Sequence, residues 1–162
     1  MDAITLKDIQ CFLFDMDGTI YLGRRLLPGA RDLVAYLRER HMPHYFLTNN
    51  SSRSKDDYVK KLADLGIPVA AEEVLPSGEA TAIYLKKQKA NARLYVVGTP
   101  SLEMEFERYG FELVEDHPDY VVLGFDTTLT YEKIWRLCDF VRDEIPYIAT
   151  HPDINCPTET GF

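Results

Sequence analysis

Residues 12–19 read Phe-Leu-Phe-Asp-Met-Asp-Gly-Thr, an apolar run that stops at two carboxylates spaced i, i+2 and a Gly-Thr turn. The run begins at Ile9 and is apolar on both faces, which predicts a strand inside a parallel sheet with helices on each side. In such sheets ligands bind beyond the carboxyl ends of the strands. Two negative charges there are costly unless a cation or a proton relieves them. The octet therefore points to metal-assisted chemistry on an anionic substrate. An isolated Asp-Gly reads more simply as a turn, but the full Asp-x-Asp-Gly-Thr string at the end of an apolar strand favours function.

The rest of the chain supplies the sheet. Short apolar runs alternate with helical patterns, as in βαβ units. Residues 45–47 predict a second strand, stopping at Thr48-Asn49-Asn50, and residues 74–76 a third. Pro28 and Gly29 open a helix with Ala30, Leu33, Val34 and Leu37 on one face. Ser54 caps another, with Asp56 and Asp57 in its first turn and Gly66 as its stop. Ser77-Gly78 leads into a helix running to about residue 89. Residues 1–78 thus read as three parallel strands with crossover helices. A second α/β unit spans 79–162, with strands at 94–97, 120–123 and 146–149 and helices opened by Thr99-Pro100 and Thr130.

Composition narrows the function. The 162 residues are 46% hydrophobic and 27% charged, as in a soluble globular protein. A net charge of −8 with scattered Lys and Arg argues against a nucleic-acid partner. It also requires any phosphate site to be locally positive, which a bound divalent cation achieves. Cys11, Cys138 and Cys156 are an odd number without CxxC spacing, hence thiols in a reducing compartment, with Cys11 expected in the core of the first strand. No basic leader or membrane-length apolar run occurs, so a soluble cytoplasmic protein without a membrane partner is expected.

In an extended segment, side chains at i and i+2 leave the same face. One of the two carboxylates is then placed to attack a phosphorus atom while its neighbour passes a proton to the leaving oxygen and activates water. Mg²⁺ offsets the repulsion between these anions and an anionic substrate. Thr48, Asn49 and Asn50, one βα unit later, offer neutral donors for phosphoryl oxygens. Taken alone, that tripeptide is a polar loop.

Asp15-Met16-Asp17-Gly18-Thr19 resembles motif I of the haloacid dehalogenase-like phosphohydrolases, and Thr48-Asn49-Asn50 resembles their motif II. Gly124-Phe125-Asp126 with Thr130-Tyr131-Glu132, and Ala149-Thr150-His151-Pro152-Asp153 with Cys156-Pro157-Thr158, resemble the large cap of the p-nitrophenyl phosphatase-like (NagD-like) branch. The resemblance implies a Rossmann-like core of parallel strands, N-terminal part at 1–78, and the first part of an inserted α/β cap at 79–162. It implies Asp15 as nucleophile and Asp17 as general acid/base. Thr48, Asn49 and Asn50 would bind phosphate, and the Asp15 carboxylate and the Asp17 carbonyl would hold Mg²⁺. Residues 20–27, with Gly23, Arg24 and Arg25, match the flap after motif I. The substrate would be a small phosphorylated metabolite.

The family's motif III lysine and motif IV acidic pair have no counterpart, and the sequence stops at Thr160-Gly161-Phe162, inside the expected cap. The expectation is a fragment whose first strand is left as a hydrophobic edge and whose metal lacks one carboxylate ligand. Two alternatives stay open: a non-catalytic module binding phosphate or a partner, and a phosphotransferase or mutase on the same core. A homo-oligomer is also left open. His151 reads as a loop histidine, His41, His44 and His117 as surface or packing residues, and Trp135 with the tyrosines as cap packing.

Overall fold

A computed structural model describes residues 8–153. Cys156, Pro157, Thr158 and the Thr160-Gly161-Phe162 end lie outside the described residues, as do residues 1–7. Strand β1 (Phe12–Asp15) runs into a hairpin of β2 (Tyr21–Leu22) and β3 (Arg25–Leu26). Helix α1 (Ala30–Glu39), strand β4 (His44–Thr48), helix α2 (Lys55–Asp64), strand β5 (Val74–Pro76) and helix α3 (Ser77–Gln88) follow. Strands β1, β4 and β5 form a parallel sheet in the order β1-β4-β5. Local chemistry sets the boundaries. Ser54 Oγ accepts the Asp57 N–H and the Asp57 carboxylate accepts the Ser54 N–H, a complete capping box for α2. Gly66, at φ 85°, takes the left-handed conformation that ends the helix.

Helices α1 and α2 and the hairpin bury one face of this sheet, with Met16, Tyr21, Val34, Tyr58 and Leu62 packed around Phe46 and Val74. The opposite face differs from expectation. Leu13 is 67% exposed, and Tyr45 and Leu75 are exposed beside it, because the described core clusters cover only one side. Among the described residues the strand is a sheet edge, as expected from the lack of a motif IV counterpart, but it is not enclosed on both faces as its apolar pattern predicted. Cys11 also departs from expectation: it precedes β1 and is exposed rather than packed in the core.

The second sheet comprises β6 (Arg93–Val97), β7 (Glu112–Leu113), β8 (Tyr120–Leu123) and β9 (Tyr147–Ala149), all parallel in the order β7-β6-β8-β9. Helix α4 (Pro100–Arg108) links β6 to β7, and α5 (Tyr131–Arg142) links β8 to β9. Thr99 and Thr130 cap these helices through Leu102 N–H and Lys133 N–H. The two-residue β7 was not anticipated, being too short to show a period. Helix α5 meets the sheet through Leu137 and Phe140, whereas Tyr131 and Trp135 are 78% and 60% exposed and pair edge to face with each other. The expectation that they pack the unit is overturned by their place on the outer side of the helix.

A buried polar cluster joins the two units. Lys55 Nζ lies 2.7 Å from Glu79 Oε1, and Tyr109 donates its hydroxyl to the same oxygen at 2.6 Å. The Lys55 N–H donates to Glu105 at 3.1 Å, and burial pushes the Glu105 carboxyl above its ordinary range. Leu102, fully buried on α4, packs so closely on Gly78, Gly98 and Gly124 that a Cβ at any of them would approach it within 2.4–2.6 Å. Leu102→Ala should therefore cost about 2–5 kcal/mol, read from the midpoint of urea unfolding.

Candidate active site

Pairing of Asp15 with Leu47 across β1 and β4 brings the first carboxylate beside the loop that follows β4. Asp15, Thr48 and Asn49 line one crevice of about 450 Å³, together with Leu13, Leu47, Leu75, Pro76, Ser77 and Ala80. Three of the five residues selected from the sequence thus converge there. Asp17 and Asn50 do not line it.

Asp17 is turned elsewhere because the strand ends at Asp15, two residues before it, so the i, i+2 rule does not reach it. After Asp15 the chain folds back: the amides of Thr19, Ile20 and Tyr21 all donate to Met16 O, and the Gly18 N–H donates to Tyr21 O at 2.7 Å. Gly18 sits at φ 85°, open to glycine without strain. Asp17 accordingly accepts the Tyr21 hydroxyl at 3.4 Å and lies 3.9 Å from Lys61 Nζ, while Asp15 accepts the Thr19 hydroxyl at 3.2 Å. Burial raises the Asp17 carboxyl above its ordinary pKa; Lys61 opposes the shift and the Asp15 charge reinforces it.

The loop after β4 uses its polar side chains mainly on itself. Thr48 Oγ1 accepts the Asn50 N–H at 3.1 Å, and Asn50 Oδ1 accepts the Ser52 N–H and hydroxyl at 3.1 and 2.7 Å. Tyr58 and Ser77 donate to the carbonyls of Asn50 and Asn49 at 2.6 and 2.9 Å. The exposed Asn49 amide donates to the Asp153 carboxylate. Ser51, fully buried and not selected from the sequence, is the loop's anchor. Its Oγ accepts the Phe125 N–H and the Thr150 hydroxyl, each at 2.8 Å, while Thr99 donates to Ser52 O at 2.9 Å. The ends of β6, β8 and β9 thus grip the loop that follows β4.

A second missed residue is Lys133. Its ammonium lies 2.7 Å from the Asp126 carboxylate, whose side chain is 1% exposed, and donates to Gly98 O at 2.7 Å. A lysine in the first turn of a helix opposes the helix dipole, and that was the available signal. Burial works against the Asp126 anion, but Lys133 and Thr128 outweigh it and hold the carboxyl below its ordinary range. His151 contacts Thr150 and Phe125, in keeping with a loop histidine. His41 and His117 are exposed and His44 is buried against Phe46.

Asp15 and Asp17 offer hard oxygen donors, and burial together with the neighbouring anion penalises charge on Asp17, a penalty that a cation lifts. That donor set suits Mg²⁺, which keeps several waters and takes one or two carboxylates. Among the described residues no group of three or more His, Cys, Asp or Glu forms a ready-made metal cage.

The family model described as haloacid dehalogenase-like hydrolase matches residues 12–112. The chain belongs to this family. It is 37% identical over 158 residues to the acid sugar phosphatase of Staphylococcus epidermidis, covering 97% of this chain and 61% of that one. The structure matches that of 4-nitrophenylphosphatase from Thermotoga maritima with a TM-score of 0.90 at 47% identity, covering 94% of this chain and 59% of that one. A glycerol phosphate phosphatase from Mycobacterium tuberculosis, solved in complex with magnesium, matches with a TM-score of 0.85 at 33% identity, covering 96% and 48%. The chain therefore spans about three fifths of the first two haloacid dehalogenase-like relatives, and both sit in the phosphatase branch that the cap motifs resemble. Among the described residues no helix is long and apolar enough to cross a membrane.

Two outcomes follow from this geometry. Ser51→Ala strands the Phe125 amide and should cost about 1–3 kcal/mol, measured by urea unfolding. Asp126, with its folded pKa below the unfolded 3.8, adds stability that is complete above that value and is lost as pH falls through the depressed one. Lys133→Met leaves that carboxylate buried and unpaired. It should cost about 3 kcal/mol at neutral pH and lessen the loss of stability on acidification, followed by denaturation midpoints from pH 6 to 2.5.

Proposed function

We propose that the complete gene product is a Mg²⁺-dependent phosphomonoester hydrolase acting through an aspartyl-phosphate on a small phosphorylated metabolite. The observation that carries this reading is the convergence of Asp15, Thr48 and Asn49 on one crevice at the carboxyl ends of adjacent parallel strands. In this reading residues 1–78 are the N-terminal part of the core and 79–162 the first part of the cap. The separation of the two sheets, one built before residue 77 and one after it, supports that division. The free thiols of Cys11 and Cys138 suit a cytoplasmic setting.

An Asp15 carboxylate oxygen attacks phosphorus and the bond to the leaving oxygen breaks. Asp17, whose burial favours the protonated form, gives that oxygen its proton. Water then attacks the aspartyl-phosphate while Asp17 takes its proton, releasing inorganic phosphate and restoring Asp15. This requires one movement of Asp17, a rotation away from Tyr21 and Lys61. Thr48 and the Asn49 amide hold the phosphoryl group, and Asn50 holds the turn. Mg²⁺, held by the Asp15 carboxylate and the Asp17 main-chain carbonyl, would neutralise charge on the phosphoryl oxygens.

The test is turnover of p-nitrophenyl phosphate by the complete gene product. Asp15→Asn should abolish it, and Asp17→Asn should lower kcat by about 10²–10⁴-fold. Wild-type rates in Asp15→Asn would overturn the nucleophile assignment. Magnesium removal with a chelator should stop turnover reversibly.

A further inference from the structure

A second cavity, of about 660 Å³, opens between the hairpin and helix α2 and shares no lining residue with the Asp15 crevice. Its charged walls come from three segments: Arg24 at the hairpin tip, Arg53 in the loop after Asn50, and Lys60 and Lys61 on α2. Against these four cations stand Asp57 and Asp64. The Asp57 carboxylate is already engaged in the Ser54 cap, accepting at 2.9 and 3.0 Å. The Arg53 and Lys60 side chains form no ion pair and no side-chain hydrogen bond with another described residue, although the Arg53 charge acts on Asp17 and Asp57. In a chain of net charge −8, this gathering of cations is a local reversal of sign.

We propose that this groove binds a compact, multiply charged anion of the phosphate or polycarboxylate class. Two planar guanidiniums and two ammoniums match clustered phosphate or carboxylate oxygens, which Arg grips bidentately. The volume lies in the range of small-molecule sites, about 300–1,000 Å³. An extended polyanion such as a nucleic acid is disfavoured by the acidic remainder of the surface. Lys61 borders the groove and also approaches Asp17 at 3.9 Å, so an occupant sits one side chain away from the proposed acid/base. The anion is either the distal acidic group of a substrate or a free anion that sets the charge around Asp17. Anion binding itself does not depend on the phosphatase reading; the substrate alternative rests on it.

The probe is inorganic phosphate, titrated into the complete gene product and followed through backbone amide resonances. Saturable shifts are expected at Gly23, Arg24, Arg53 and Lys60, with at least tenfold weaker affinity in the double variant R53A/K60A and recovery in R53K/K60R. No saturable shift at these amides, or equal affinity in R53A/K60A, overturns the proposal. The kcat/KM ratio for a sugar bisphosphate over its monophosphate distinguishes the source. A tenfold fall of that ratio in R53A/K60A assigns the groove to the substrate's second phosphate, and an unchanged ratio with lost phosphate binding assigns it to a free anion. If the wild type shows no turnover at all, the phosphatase reading fails while the titration still decides the groove.

Discussion

The buried hydroxyl of Ser51 holds the two halves of this molecule to one another at the place where chemistry is expected. It accepts a backbone N–H from the end of β8 and a hydroxyl from the end of β9, and it lies directly after Asn49 and Asn50. The carboxyl ends of a parallel sheet are where an open α/β unit normally receives its ligand. In the second sheet that position is taken by the first unit's own loop. A buried hydroxyl with its partners in place gains little net energy, but any partner left unpaired in that dry setting is costly, so the contact specifies geometry more than it adds stability.

Charge is organised around the same frame. Asp17 is kept partly buried beside Asp15, which favours its protonated form, and Lys61 limits the shift. At the other end of α2, Lys55 is enclosed by Glu79 and Glu105, and the Lys133–Asp126 pair is buried at the end of β8. Each pair sits where an element of one unit meets a loop or helix end. Such pairs contribute little over well-packed apolar groups but are expensive to break, and this makes them suited to fixing relative positions.

Several features were legible along the chain because their causes are local. The caps at Ser54, Thr99 and Thr130 bond to amides within three residues, so their residue types announce them. The glycine stop at 66 follows from the left-handed backbone that turn requires. The convergence of Asp15 with Thr48 and Asn49 was readable from the order of strands alone, because parallel neighbours place their carboxyl ends side by side. Other features were not legible. Cys11, Leu13 and Trp135 look like core residues by composition, yet each is exposed, since hydrophobicity says that a side chain favours burial but not whether another layer covers it. Ser51 and Lys133 act through partners 74, 99 and 35 residues away. No period or spacing encodes such partners.

By itself, the sequence determined the alternation of strands and helices, the helix boundaries, and the two acidic residues at the end of an apolar run. All of these rest on interactions spanning a few residues. The tertiary structure decided which way each acid points. The early end of β1 directs Asp15 to the crevice and Asp17 to Tyr21 and Lys61. It also decided that Arg24 of the flap shares one groove with Arg53, Lys60 and Lys61, which are unremarkable where they stand in the chain. The physical reason is common to both: direction and proximity depend on long-range packing, and a local pattern carries neither.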